Sequence, residues 1–123
     1  MITVEDLLSY AKNKEKTKSF KVFIKELNDK INCNIISPEE YFDIITSKNI
    51  NVATEVIYCS CDIFHDERLI QSLKCKDNPC SVVLKILNYD TIYSLANLII
   101  EKSNLTVDKK ENFVEIVEDD IKN

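Results

Sequence analysis

Residues 52–103, VATEVIYCSCDIFHDERLIQSLKCKDNPCSVVLKILNYDTIYSLANLIIEKS, read as a run of short amphipathic helices divided by stop and start signals. The clearest unit is the pair Pro79–Leu87 and Thr91–Lys102. Asp77 or Asn78 can cap the first helix, and Pro79 sits at its first position, where a missing N–H does no harm. Val82, Val83, Ile86 and Leu87 recur at helical spacing. Asn88-Tyr89 breaks the run, Asp90 offers a second N-cap, and Ile92, Leu95, Ala96 and Ile99 make the next apolar stripe. Two helices joined by so short a break are expected to fold back as an antiparallel hairpin. The signal is that of a scaffold, with no chemistry in it.

Working outward toward the N-terminus, Asn51 can cap a helix in which Val52, Val56, Ile57 and Ser60 fall at helical intervals. Ser37-Pro38-Glu39-Glu40 carries three agreeing start signals: a Ser cap, Pro at the first position and acids in the first turn. Tyr41, Phe42, Ile44 and Ile45 give that helix its apolar face. Asp66 can cap a further helix bearing Leu69, Ile70 and Leu73, and Lys74 to Asn78 reads as a loop.

Between Phe20 and Ile36 the period changes. Phe20, Val22 and Ile24 alternate with Lys21, Phe23 and Lys25, and Ile31, Cys33 and Ile35 alternate with Asn32 and Asn34. Asn28-Asp29 is the turn, so a β-hairpin is expected, with a short helix as the competing reading because Phe23 falls on the polar side. Ahead of it, Thr3 and Asp6 form a capping-box-like start to a helix ending near Asn13, with Val4, Leu7, Leu8 and Ala11 on one face. From Lys12 to Lys25 there are six Lys against one Glu, read as a basic linker or as a patch facing an anion or an acidic partner. These elements predict an α+β fold, a β-hairpin packed with a mainly helical body. They are assigned to one domain over residues 1–105, followed by an acidic C-terminal tail over 106–123.

With 123 residues, 45% of them apolar, the chain has the composition of a soluble globular domain. A net charge of −5 argues against a general nucleic-acid binder, which needs a basic footprint. No apolar run approaches the roughly 20 residues of a membrane helix. MITVEDLL carries acids where a signal peptide needs positive charge, so a cytoplasmic protein is expected. The five cysteines (Cys33, Cys59, Cys61, Cys75 and Cys80) are then expected as reduced thiols. The chain has no Gly, which excludes Gly-rich phosphate loops. It also leaves left-handed turn positions to other residues, with Asn28-Asp29, Asn49, Asn88 and Asn104 as candidates.

Cys59, Cys61, His65, Cys75 and Cys80 are the right residue types for zinc, but their spacing is not that of the common Cys-x2-Cys pair. No cofactor or metal is expected. A cysteine with His65 lacks any visible orienting third group, so no enzyme is expected either. Asp62, Asp66 and Glu67 form an acidic group in which Asp66 and Glu67 are explained as helix N-terminal residues. In the tail, Phe113, Val114, Ile116 and Val117 are the substantial apolar cluster and the candidate partner-binding residues.

Three segments carry a resemblance: KTKSFKVFIKELNDKINCNIISPEEYFDII (16–45), TEVIYCSCDIFHDERLIQSL (54–73) and NPCSVVLKILNYDTIYSLANLIIEKSNL (78–105). In order and spacing they resemble the tail assembly chaperones of tailed bacteriophages, in the XkdN-like group, over about residues 5 to 105. Ser103-Asn104 departs from the pattern at the turn after the last helix, where relatives often carry Gly. The resemblance implies a chaperone of the bacterial host cytoplasm that coats the tape measure protein, recruits tail tube protein and leaves before the tail is finished. It also implies a longer form made by ribosomal frameshifting in many members, and self-association is a further expectation for this chain. A small zinc-stabilised adaptor or regulatory domain is the alternative.

Overall fold

The computed structural model describes residues 1–14, 18–47 and 51–105. The fold is α+β: among the described residues there are one antiparallel hairpin and six α-helices. Helix α1 spans Val4–Lys14, strands β1 and β2 span Ser19–Ile24 and Asp29–Asn34, and α2 covers Pro38–Thr46. Then follow α3 (Val52–Ser60), α4 (Glu67–Ser72), α5 (Ser81–Ile86) and α6 (Tyr89–Lys102), with 3-10 turns at Lys25–Leu27 and Asp62–His65.

The alternation in Phe20–Ile36 is a strand pair, which disposes of the helical reading. Ser19 lies opposite Asn34 and Ile24 opposite Asp29. Ile24, Ile31 and Cys33 point into the core, Phe20 and Val22 pack against it, and Phe23 stays on the outer face. Asn28 closes the turn at φ 52°, its N–H donating to the Lys25 carbonyl.

Local capping explains most helix starts. The Thr3 and Asp6 side chains each accept the other's backbone N–H. Ser37 and Glu40 do the same at α2, at 3.1 and 3.2 Å. Asn51 Oδ1 accepts from Thr54 N–H, and Asp66 accepts from the N–H groups of Arg68 and Leu69. Each such cap is worth roughly 1 kcal/mol in a protein helix.

The central packing is α3 against α6. Val56 and Ile57 of α3 and Ile92, Leu95, Ala96 and Ile99 of α6 are all buried. The two helices expected to pair as an antiparallel hairpin, α5 and α6, meet only slightly, and α3 is the main partner of α6. Two helix starts are corrected as well. Pro79 is not at the head of α5; it sits in a turn in which Ser81 and Val82 N–H groups donate to the Asn78 and Pro79 carbonyls. Asp90 does not cap α6, which begins at Tyr89 with Asn88 as N-cap. The Asn88 N–H is held at 2.9 Å by the Glu26 carboxylate, from the hairpin turn. A partner 62 positions away leaves no local trace in sequence.

Helices α4 and α6 end in the same way. Lys74 and Asn104 adopt φ 58°, and the following residues, Cys75 and Leu105, donate back to the carbonyls of Ile70 and Ile100. Lys74 and Asn104 also donate to Gln71 and Glu101. This paired-bond C-cap is normally built on Gly. Asn104 fills it after α6, and Lys74 after α4.

Candidate functional site

Two kinds of surface could carry function: the thiol-bearing positions and the apolar side chains left outside the core.

The cysteines fall into separate places. Cys33 and Cys61 are fully buried with their sulfurs 3.4 Å apart. The thiol of Cys61 lowers the Cys33 pKa below the ordinary thiol value, and the same contact together with burial pushes Cys61 well above it. Cys75 is buried next to the Leu73 carbonyl. Cys59 and Cys80 line an open cleft of about 300 Å³ with Glu40, Asp43 and Glu55. Burial, then Glu40 and Glu55, raise the Cys59 thiol, and burial, then Glu55, push Cys80 up to about 11. Thiols held protonated in this way are poor nucleophiles.

His65 is not part of any of these groups. Its Nε2 donates to the Tyr58 carbonyl at 2.7 Å, and its ring stacks on Tyr58 with centroids 4.0 Å apart. Of the residues weighed for zinc, Cys59 and Cys80 share the cleft, while Cys61, His65 and Cys75 lie in other surroundings. Among the described residues no group of three or more His, Cys, Asp or Glu is arranged to hold a metal. Of the acidic group, Asp66 caps α4, Glu67 lies in its first turn, and the Asp62 carboxylate accepts from the Asn34 amide.

The apolar surface is the more distinctive feature. From Val4 to Asn13 every residue of α1 is exposed, including the stripe Val4, Leu7 and Leu8, at 67%, 54% and 59%. Burying a side chain of this size stabilises by about 1.5–3 kcal/mol, so an amphipathic helix with its stripe in solvent forgoes that gain. On α2, Ile44 is buried and Tyr41 packs on the core, but Phe42 and Ile45 stay exposed. The four-residue apolar face expected there is two adjacent stripes, of which the body covers one. Tyr89 and Tyr93, with ring centroids 5.2 Å apart, stand exposed on α6. The sequence shows the α1 stripe plainly, but periodicity alone does not tell a buried face from a free one.

The tail residues chosen as the partner contact, Phe113, Val114, Ile116 and Val117, lie outside the described residues. No helix among the described residues is long and apolar enough to cross a membrane. Compared with protein-family models, curated proteins and solved structures, the chain matches none of them.

Proposed function

We propose that this protein is a tail assembly chaperone: it holds the tape measure protein soluble, recruits tail tube subunits around it and leaves before the tail is complete. The observation that carries the reading is α1, an amphipathic helix whose apolar stripe has no cover among the described residues. A helical client can pair with such a stripe through contacts at every third and fourth residue. Partial burial of a few aliphatic side chains gives an association weak enough to be reversed when tube protein polymerises. Phe113, Val114, Ile116 and Val117 supply the second contact, to the tube subunit. The function is binding, with no turnover, no cofactor and neither nucleic acid nor membrane as partner, in the cytoplasm of a bacterial host.

Co-expression with a tape measure protein and a tube protein tests this. The chain is expected to increase the soluble fraction of the tape measure protein. The double substitution Leu7→Glu and Leu8→Glu is expected to abolish that gain while leaving the chain's own thermal midpoint unchanged, because both residues are exposed. Equal tape measure solubility with and without the chain would end the proposal. Finding the chain in finished particles would make it a structural component instead.

A further inference from the structure

Cys33 precedes Asn34 at the end of β2, and Cys61 follows Ser60 at the end of α3. Ser60 Oγ accepts from the Asn34 N–H at 3.1 Å and donates to the Asn34 carbonyl at 2.6 Å. The two elements are thus clamped one residue away from each thiol. The sulfurs lie 3.4 Å apart, and both side chains are fully buried. A disulfide holds its sulfurs at about 2.05 Å. Closing the bond therefore asks for an approach of roughly 1.4 Å, which two side chains can share. The other thiols are placed differently. Cys75 meets the Leu73 carbonyl, and Cys59 and Cys80 stand in the cleft with Glu40, Asp43 and Glu55.

We propose that Cys33 and Cys61 are a modification site: a small-molecule disulfide of the glutathione class oxidises the pair to a disulfide bond, which fastens the hairpin to α3. This holds whether or not the protein is a chaperone.

The chemistry is two exchanges. One cysteine thiolate attacks a sulfur of the reagent, forming a mixed disulfide and releasing one reagent thiolate. The second cysteine thiolate attacks the protein sulfur of that mixed disulfide, forming the Cys33–Cys61 bond and releasing the other. Two electrons pass from the cysteines to the reagent, and the two thiol protons end on its released thiols. Because neither sulfur is exposed, the first exchange takes place before the hairpin docks in folding, or while it is lifted from α3. The Ser60–Asn34 clamp then presents the second sulfur at contact distance. In a reducing compartment the pair stays as thiols. Where the poise is oxidising, the bond closes a ring over 28 positions that contains α2 and α3. The strand is then tied to the helix on which α6 packs.

Refolding tests it. Denatured, reduced chain is refolded in glutathione buffers of increasing oxidised fraction, quenched with an alkylating reagent and digested for mass spectrometry. The Cys33–Cys61 link is expected to exceed every other cysteine pair by roughly tenfold or more, because the fold supplies its effective concentration. The thermal midpoint of the linked chain is expected to rise by roughly 10 °C and to fall back on adding dithiothreitol. Cys33→Ser and Cys61→Ser, each refolded in the same buffers, should show no such rise. The inference is overturned if the unaltered chain refolds with its links at other pairs or with none. It is overturned equally if the Cys33–Cys61 link forms and the midpoint stays the same or drops, since the bond would then fasten nothing.

Discussion

The sulfurs of Cys33 and Cys61 meet at 3.4 Å in the interior, joining the end of β2 to the C-cap of α3. Neither side chain is exposed to solvent. In the folded protein an alkylating reagent is therefore expected to modify Cys59 first, then half-buried Cys80, and to reach Cys33, Cys61 and Cys75 only after denaturation. Because Cys59 and Cys80 have raised pKa values, their labelling should accelerate as pH rises above neutrality. Mass spectrometry of the labelled peptides gives the order. Cys33 reacting as fast as Cys59 would contradict the buried pairing.

Ser60 is fully buried and makes two hydrogen bonds to the backbone of Asn34. Ser60→Ala removes both and strands two backbone groups at the edge of β2. A loss of about 1–3 kcal/mol is expected by denaturant titration. A change near zero would mean that water takes over both bonds.

Thr54 is buried at the head of α3, and its Oγ1 has no hydrogen-bond partner among the described residues. Thr54→Val keeps the shape and removes the unsatisfied oxygen. It is expected to stabilise by about 1 kcal/mol. Destabilisation would show that the hydroxyl has a partner in solution.

Asp66 carries a pH dependence of definite sign. Its carboxylate accepts from the Arg68 N–H and side chain and from the Leu69 N–H, which holds its pKa below the ordinary carboxylate value. The folded value is below the unfolded one, so this stabilisation is complete above the unfolded value of about 3.9 and disappears as pH falls through the folded one. Asp66→Asn cannot titrate. The difference in thermal midpoint between the two proteins should therefore be constant around neutrality and shrink in acid. A difference that does not vary down to strongly acidic pH would refute the assignment.

Much of this fold is legible in the residues because its cues are local. Ser37, Asn51, Asp66 and the Thr3–Asp6 pair announce helix starts within four positions of themselves, and the alternation around Asn28 announces the hairpin. The misread features depend on distant partners. Glu26 reaches the head of α6 from the hairpin turn, and α3 displaces α5 as the main neighbour of α6. The candidate surface was only half legible. Helical spacing placed Val4, Leu7 and Leu8 on one stripe, and Phe42 and Ile45 with Tyr41 and Ile44, but the side left uncovered is decided by what packs nearby. The thiols show the same limit: closeness in sequence put Cys59 with Cys61, whereas the fold pairs Cys61 with Cys33.

Left-handed backbone is carried here by Asn28, Lys74 and Asn104. The two asparagines tolerate it, but Lys74 has no such excuse, and a side chain there costs roughly 1–2 kcal/mol. A chain with no Gly also has a stiffer denatured ensemble and so gives up less backbone freedom when it folds. Placing Gly at position 74 would relax the joint and loosen the unfolded polypeptide at the same time. The turn that looks easiest to improve is thus one where most of the gain would cancel.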